Sequence, residues 1–295
     1  MRILLTGSSG QVGRALVTAL APLGDVVAAD RSSFDLAQPD LISERAAELQ
    51  PDLIVNAAAY TDVECAELEE HAAMTANGVS VGALAVAARE LNVPLLHYST
   101  DYVFDGNKTS PYVEEDQTAP LSVYGRSKLD GENRIRDSGC AHVILRTSWI
   151  YAAAGHNFLT TMLRLAAERE ELTVVDDQVG APTFAGFIAI STAQMITEIV
   201  SSGGARRRVQ EGETVHLVNG GATSWFGFAS AIFASDLVRE RVRPPRLVPV
   251  KSSEFPTRAR RPANSLLSTE KARTVWKLQV PDWRDSLADC LSRLR

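Results

Sequence analysis

The sequence has few cysteines, no long apolar run and no excess of positive charge. Its 295 residues include three cysteines, Cys65, Cys140 and Cys290, which are too few and too far apart for a disulfide framework. The first apolar run stops at glycines after Thr6, which is not the pattern of a signal peptide. The sequence has no stretch of about 18 uninterrupted apolar residues, so it predicts no membrane-spanning helix. A formal net charge of −6 gives no general attraction to nucleic acid. We expect a cytoplasmic protein without a nucleic-acid or membrane partner.

Positive charge is concentrated in one segment. Between Gly203 and Pro262, eleven lysines and arginines stand against five acidic residues. Such a run is usually a solvated loop and helix face. The alternative is that some of these arginines bind an anionic ligand group such as a diphosphate. The sequence leaves both interpretations open.

Short apolar runs alternate with helix-length amphipathic segments over the first half of the chain. The strand-like runs are Ile3–Thr6, Val26–Ala29, Leu53–Asn56, Pro94–Tyr98 and His142–Arg146. Strands that alternate with helices favour parallel crossovers and a sheet covered on both faces. We predict an α/β fold: a Rossmann-type doubly wound parallel sheet with a smaller C-terminal substrate-binding α/β subdomain. The division is 1–150 for the first unit and 151–295 for the second, with part of the second returning to the sheet.

A glycine-rich loop lies between the first predicted strand and the first predicted helix. Residues 7–13 read GSSGQVG, with glycines three apart. Residues without a Cβ let backbone N–H groups approach a pyrophosphate, and the helix N-terminus adds a favourable dipole. The pattern predicts that a nicotinamide dinucleotide contacts Gly7, Gly10, Gln11, Val12 and Gly13.

The residues after the second strand bear on which dinucleotide binds. Asp30 stands where an acidic residue would hold the adenosine ribose hydroxyls, which favours NAD. Its neighbour Arg31 could instead pair with the 2′-phosphate of NADP. Asp35 and Leu36 could flank the adenine. NADPH and NADH therefore both remain open.

Tyr124 and Lys128 form a Y-x-x-x-K pattern at the start of a predicted helix. The i,i+4 spacing puts phenol and amine on one helix face. A cation near a phenol lowers its pKa, which suits proton transfer at a carbonyl oxygen. Ser99 and Thr100 follow the fourth strand, at the sheet edge where ligands bind. A hydroxyl there can donate to the same oxygen, so Thr100, Tyr124 and Lys128 are predicted to be catalytic.

Several longer motifs, in order, make the chain resemble a known family. With the glycine loop, they resemble the dTDP-4-dehydrorhamnose reductase family of the extended short-chain dehydrogenase/reductase superfamily. These motifs are Asn56–Val63 (NAAAYTDV), Ser99–Gly106 (STDYVFDG), Val123–Leu129 (VYGRSKL), Arg146–Tyr151 (RTSWIY), Asp177–Thr183 (DQVGAPT) and Arg261–Ser265 (RPANS).

The resemblance implies reduction of the 4-keto group of dTDP-4-dehydro-6-deoxy-L-mannose to dTDP-L-rhamnose with NADPH or NADH. It implies that Tyr124 is the proton donor, that Lys128 tunes it and binds the nicotinamide ribose, and that Thr100 binds the substrate oxygen. Trp149 corresponds to the sugar-stacking residue, with a core tryptophan as the alternative, and Asn77 to an asparagine behind the active site. Further cofactor contacts are implied for Ala59, Tyr60, Thr61 and Tyr98, and further substrate contacts for Val63, Asp101 and Tyr102.

Two points limit the resemblance. Some members of the family use magnesium at a dimer contact through an acidic residue early in the first helix, but here that helix begins QVGRAL, which argues against a metal. The five histidines also show no zinc-ligand spacing with cysteine.

The chain is expected to act as a monomer or homodimer. The alternatives are a nucleotide-sugar epimerase or dehydratase of the same superfamily, and a non-catalytic subunit resembling the regulatory subunit of methionine adenosyltransferase.

Overall fold

A computed structural model describes residues 1–294, and in that range the chain forms twelve strands and thirteen α-helices. The strands are β1 Arg2–Thr6, β2 Asp25–Ala29, β3 Leu53–Asn56, β4 Leu95–Thr100, β5 His142–Thr147, β6 Ile150–Tyr151, β7 Glu171–Val175, β8 Val179–Gly180, β9 Thr183–Phe184, β10 Glu213–His216, β11 Thr223–Ser224 and β12 Arg246–Val250. The helices are α1 Gln11–Leu20, α2 Ile42–Leu49, α3 Val63–Ala66, α4 Glu70–Met74, α5 Ser80–Leu91, α6 Val123–Ser138, α7 Phe158–Glu168, α8 Ala185–Ser201, α9 Gly203–Glu211, α10 Trp225–Ala234, α11 Asp236–Arg239, α12 Glu270–Thr274 and α13 Trp283–Ser292.

Six strands form the main sheet, in the order β10-β5-β4-β3-β1-β2. All of the pairings in it are parallel. The chain moves from β1 outward to β2, then returns past β1 to β3, so the strand order reverses between β1 and β3. In open α/β sheets ligands bind beyond the carboxyl ends of the strands at such a reversal. The predicted Rossmann-type doubly wound sheet is confirmed.

The sheet is buried on both faces because its strands are apolar at consecutive positions. Ile3 and Leu5 of β1 belong to one hydrophobic cluster, whereas Leu4 between them belongs to another on the opposite face. Each of these side chains is fully buried. Period-2 alternation of side chains across a strand therefore feeds two cores, which is why the strands read as continuous apolar runs.

The chain beyond residue 150 is not separate from the sheet. Strand β10 pairs with β5 in the main sheet, and α8 packs against α1. The remaining short strands form three pairs: β7 with β12, β8 with β11, and β6 with β9. The division of the chain at residue 150 stays a prediction.

Three elements differ from the sequence prediction. Strand β4 is longer at its carboxyl end and contains Ser99 and Thr100. Helix α9 lies in the basic segment, where the sequence predicted no helix over 203–211 and left open a solvated loop and helix face or arginines that bind an anionic group. A π-helical turn joins α4 and α5 into one run, Glu70–Leu91, which is long and apolar enough to cross a membrane. Half of its most apolar window is buried, and the run packs against α2 and α6, so we assign its apolar character to core packing.

Candidate active site

One large cavity, with a volume of ≈ 1570 Å³, lies at the carboxyl ends of the central strands. The loop after β1 lines it, as do residues that follow β3, β4 and β5. Its volume exceeds the roughly 300–1,000 Å³ of a site for one small ligand. The cavity is therefore large enough for two ligands side by side.

The glycine loop forms one wall of this cavity. Gly7 has a φ of +70°, and a Cβ on it would lie 2.5 Å from the backbone nitrogen of Ala58. A Cβ on Gly13 would lie 2.0 Å from the carbonyl oxygen of Gly7. The helix α1 begins at Gln11, and no side chain caps its free N–H groups. This tight, uncapped helix start fits the pyrophosphate of a dinucleotide. Gly13 itself does not line the cavity, because it lies where helix α1 contacts the glycine loop.

Of the two residues after β2, only Arg31 lines the cavity. The Asp30 carboxylate instead accepts hydrogen bonds from the backbone nitrogen of Ser32, at 2.9 Å, and from the Ser32 hydroxyl, at 2.6 Å. These bonds hold the pKa of Asp30 below its ordinary value. Asp30 was predicted to contact the ribose, but in this structure its carboxylate stabilises the turn that follows β2. Asp35 and Leu36 line the cavity as predicted.

Tyr124 lies in the first turn of α6, opposite the end of β4. The Ser122 hydroxyl caps this helix by accepting from the backbone N–H of Gly125 at 3.1 Å. The Tyr124 phenol contacts the Thr100 hydroxyl, and Thr100 donates to a carboxylate oxygen of Asp101 at 2.9 Å. Burial raises the pKa of Tyr124 well above its ordinary value, so the phenol keeps its proton at neutral pH. Burial also raises the pKa of Asp101 to about 6.

Lys128 lies one turn further along α6 and is almost fully buried. Its Nζ donates to the carbonyl oxygen of Tyr98 at 2.6 Å and lies 3.2 Å from Nε2 of His97. Burial lowers the pKa of Lys128 to about 8. The sequence pattern predicted that this amine lowers the pKa of Tyr124. In the structure that pKa is raised instead, because burial dominates and the Lys128 amine is directed at β4.

Trp149 follows β5 with a φ of 48°, which is uncommon for a large side chain. Its ring is stacked on that of Trp225, with centroids 3.6 Å apart and planes 6° apart. A Cβ on Gly180 would lie 2.4 Å from Cε2 of Trp149 and 2.7 Å from both Cζ2 and Nε1. This point lies above the ring plane, because it is nearest to Cε2 and equally far from two of the atoms bonded to it. Trp225 fills one side of the ring, so Gly180 covers the other.

Trp225 thus covers one face of Trp149, and Gly180 lies over part of the other face, near Cε2. A sugar that stacks on the face covered by Trp225 must displace the Trp225 ring. Trp225 also lines the cavity, and sequence reasoning missed it. Its only sequence signal is that it is one of four tryptophans.

One arginine of the basic segment lines the cavity, and it is Arg261. Its guanidinium donates to the Glu64 carboxylate at 2.9 Å and contacts the Tyr102 phenol. The ring of Tyr102 meets that of Tyr124 edge to face at 5.7 Å. A cation therefore lies two side chains away from the phenol of Tyr124.

Asn77 lies behind the site and not in it. It is fully buried, accepts from the backbone N–H of Tyr60 at 2.8 Å, and donates to the Ser127 hydroxyl at 2.9 Å. It therefore ties the loop after β3 to α6. The other predicted contacts line the cavity: Gly7, Gly10, Gln11, Val12, Ala59, Tyr60, Thr61, Val63, Tyr98, Thr100, Asp101, Tyr102, Tyr124, Lys128 and Trp149. Among residues 1–294, no group of three or more His, Cys, Asp or Glu side chains could hold a metal ion.

Comparisons with known proteins agree on one family. The family model described as RmlD substrate binding domain matches residues 1–295. A dTDP-4-dehydrorhamnose reductase from Burkholderia thailandensis is 45% identical over 100% of this chain and 99% of that protein. The crystal structure of a dTDP-4-dehydrorhamnose reductase from Bacillus anthracis in complex with NADP superposes with a TM-score of 0.88 at 33% identity, covering 99% of this chain and 98% of that one. A UDP-glucose 4-epimerase from Brucella ovis, at 16% identity and a TM-score of 0.78, shares the fold alone.

Proposed function

The chain belongs to the RmlD substrate binding domain family, and from this membership we propose that it is an NADPH-dependent oxidoreductase acting on a dTDP-linked keto-sugar. The reaction is reduction of the 4-keto group of dTDP-4-dehydro-6-deoxy-L-mannose to dTDP-L-rhamnose. One observation carries the proposal: the glycine loop, Thr100, Tyr124 and Lys128 all line the same cavity. We place the protein in the cytoplasm, as a monomer or homodimer.

The glycine loop and Arg31 would hold the cofactor. Backbone N–H groups at the start of α1 suit the pyrophosphate, and Arg31 suits a 2′-phosphate, which favours NADPH over NADH. When bound, the reduced nicotinamide supplies hydride to the ketone carbon. Tyr98, Tyr60 and Thr61 would complete the wall around it.

Tyr124 would be the proton donor. Its raised pKa keeps the phenol protonated at neutral pH, which is the form that reduction of a ketone requires. The Thr100 hydroxyl contacts the phenol and would bind the substrate oxygen at the same point. Lys128 would hold the nicotinamide ribose. The sugar nucleotide would lie toward Trp149, Trp225 and Val63, with Arg261 as the cation for its diphosphate.

The test is NADPH absorbance after addition of the keto-sugar nucleotide. We expect stoichiometric oxidation of NADPH, and loss of roughly 10²–10⁴-fold in turnover for Tyr124→Phe, the usual contribution of a proton donor. Tyr112→Phe is the matched control, because Tyr112 is buried outside the cavity and its hydroxyl bonds to Asp105.

Each outcome has a defined meaning. Near-normal turnover of Tyr124→Phe would show that the proton donor is wrongly assigned. Sugar conversion without net NADPH oxidation would favour an epimerase or dehydratase, which recycles its cofactor. Absence of any conversion would favour the regulatory-subunit alternative.

A further inference from the structure

Four arginines line the cavity, and they differ in what they contact. Arg261 pairs with Glu64. The other three, Arg14, Arg31 and Arg169, form no ion pair with a carboxylate of residues 1–294. A guanidinium stays charged at neutral pH, so an unpaired one in a cavity suits an anionic ligand. The proposed function assigns Arg31 to the 2′-phosphate of the cofactor but gives no role to Arg14, the residue that follows the glycine loop.

The carboxylates that line the cavity already have partners within the chain. Each of them accepts a hydrogen bond or pairs with an arginine: Asp35, Asp62, Glu64, Glu69, Asp101 and Glu171. Asp62, for example, caps α3 by accepting from the backbone N–H of Cys65 at 2.9 Å. The positive charge of Arg14 is therefore not neutralised by the part of the chain that the structure describes.

The guanidinium of Arg14 lies at the start of helix α1. The backbone N–H of Arg14 donates to the carbonyl oxygen of Gly10 at 2.9 Å, so Arg14 is one turn beyond the middle glycine of the loop. Side chains of an α-helix tilt toward its N-terminus, which directs this one back at the loop. A Cβ on Gly155 would lie 2.6 Å from Nη2 of Arg14 and 3.7 Å from Cγ of Gln11. The guanidinium is therefore beside the Gln11 side chain.

Two further features of the helix start indicate a ligand there. No side chain caps the free N–H groups of the first turn. Oε1 of Gln11 is buried and has no hydrogen-bond partner among residues 1–294. A buried polar atom without a partner costs free energy, so it indicates a group that the chain itself does not supply. Uncapped donors, a buried amide oxygen and an unpaired cation thus lie together.

We propose that Arg14 is a further cofactor-binding residue, whose guanidinium donates to the pyrophosphate of the bound dinucleotide. The backbone N–H groups of α1 hold one side of this group, and the planar guanidinium binds oxygens on its solvent side, because Arg14 is exposed. Arg31 follows β2 and serves the adenosine end, so the two arginines bind different phosphates. This inference rests on the proposed function only for the identity of the cofactor.

The test is equilibrium binding, measured by isothermal titration calorimetry at low ionic strength. Arg14→Gln should raise the Kd for NADPH and for NADH by the same factor, roughly tenfold, because both carry the pyrophosphate. That factor is the lower limit for a hydrogen bond to a charged group, since Arg14 is exposed. The Kd for dTDP should stay unchanged. Arg164→Gln is the matched control, because Arg164 is an exposed helical arginine outside the cavity.

The equal change for the two cofactors separates Arg14 from Arg31. A larger change for NADPH than for NADH would assign Arg14 to the 2′-phosphate. A raised Kd for dTDP alone would assign it to the substrate, and unchanged values would give it no ligand. Each of these results overturns the inference while the wild-type protein still binds NADPH, so the proposed function stands. Failure of the wild-type protein to bind either dinucleotide would overturn the proposed function, and the inference with it.

Three more measurements distinguish a direct contact from a change in the helix. Arg14→Lys keeps the charge but loses the planar fork, so its Kd for NADPH should lie between those of wild type and Arg14→Gln. The difference between wild type and Arg14→Gln should shrink in about 1 M salt, which screens exposed charges. Their urea midpoints should agree, because glutamine forms helix about as well as arginine. A lowered midpoint together with a loss of affinity that salt does not change would overturn the inference.

Discussion

Replacing Arg146 by methionine should leave a buried carboxylate without its main counter-charge. The side chains of Arg146 and Glu132 are 3% and 0% exposed. Two guanidinium nitrogens of Arg146 donate to the two carboxylate oxygens of Glu132, at 2.9 and 2.8 Å. Removal of one partner of such a pair costs about 3–5 kcal/mol, because the other charge stays buried. We expect a loss of unfolding free energy near the lower limit, since Arg136 also reaches Glu132, at 2.7 Å.

The assay is urea-induced unfolding at pH 7, followed by tryptophan fluorescence and far-UV circular dichroism. Glu132→Gln combined with Arg146→Met removes the orphaned charge, so the double variant should regain at least about 1 kcal/mol over Arg146→Met alone. Arg164→Met is the matched control: its i,i+4 pair with Glu168 is exposed and should contribute at most about 1 kcal/mol. The reasoning is refuted if Arg146→Met costs no more than Arg164→Met, or if the double variant is the sum of the singles.

Three further predictions follow from single contacts. Burial alone would raise the pKa of Glu132, but the hydrogen bonds and charge of Arg146 outweigh it and hold that pKa below the ordinary value of 4.5. The ion pair therefore contributes stability above about pH 4.5, and this contribution is lost as the pH falls. The difference in unfolding free energy between wild type and Glu132→Gln, measured in urea, should shrink from pH 6 to pH 3. A constant difference contradicts this prediction. Gly180→Ala places a methyl group against the Trp149 ring, which cannot move away because Trp225 is stacked on its other face. The substitution should lower the unfolding free energy, measured by thermal unfolding, by about 1–3 kcal/mol and should raise the KM for the sugar nucleotide. A raised Kd for NADPH instead would show that Trp149 lies in the cofactor part of the cavity. Arg31→Ala should raise the KM for NADPH roughly tenfold or more and leave that for NADH nearly unchanged, since only NADPH carries the 2′-phosphate; equal changes for both would remove Arg31 from that role.

Much of the fold could be predicted because its strands are buried on both faces. Strand β3, Leu53–Asn56, has the bounds that the sequence predicted. Continuous apolar runs and helices with one apolar stripe are local patterns. They can therefore be recognised even where the rest of the fold is predicted wrongly. Helix α9 was missed because its residues are mostly polar and basic, and only Ala205 and Val209 are buried. Its helical state depends on packing against α8, and that contact cannot be predicted from a local sequence pattern.

The candidate site divides in the same way. Glycines in a strand–loop–helix setting and a phenol–amine pair on one helix turn are recognisable in sequence, because adjacent residues create their geometry. Trp225 and His97 were missed, since each acquires its place from a residue far along the chain. Asp30 was predicted to contact the ribose, but it does not line the cavity, and one oxygen of its carboxylate accepts hydrogen bonds from Ser32, so the ribose contact stays a prediction.

The sequence by itself determined the sheet, the glycine loop, and the spacing of Tyr124 and Lys128 on one helix. These features depend on neighbouring residues and on the periodicity of side chains. Only the tertiary structure decided that the amine of Lys128 is directed at His97, and that Arg31 lines the cavity in place of Asp30. It also decided that Trp149 lies between Trp225 and Gly180. Such outcomes depend on which buried donor meets which acceptor once distant strands are joined, and that pairing is a property of the folded chain.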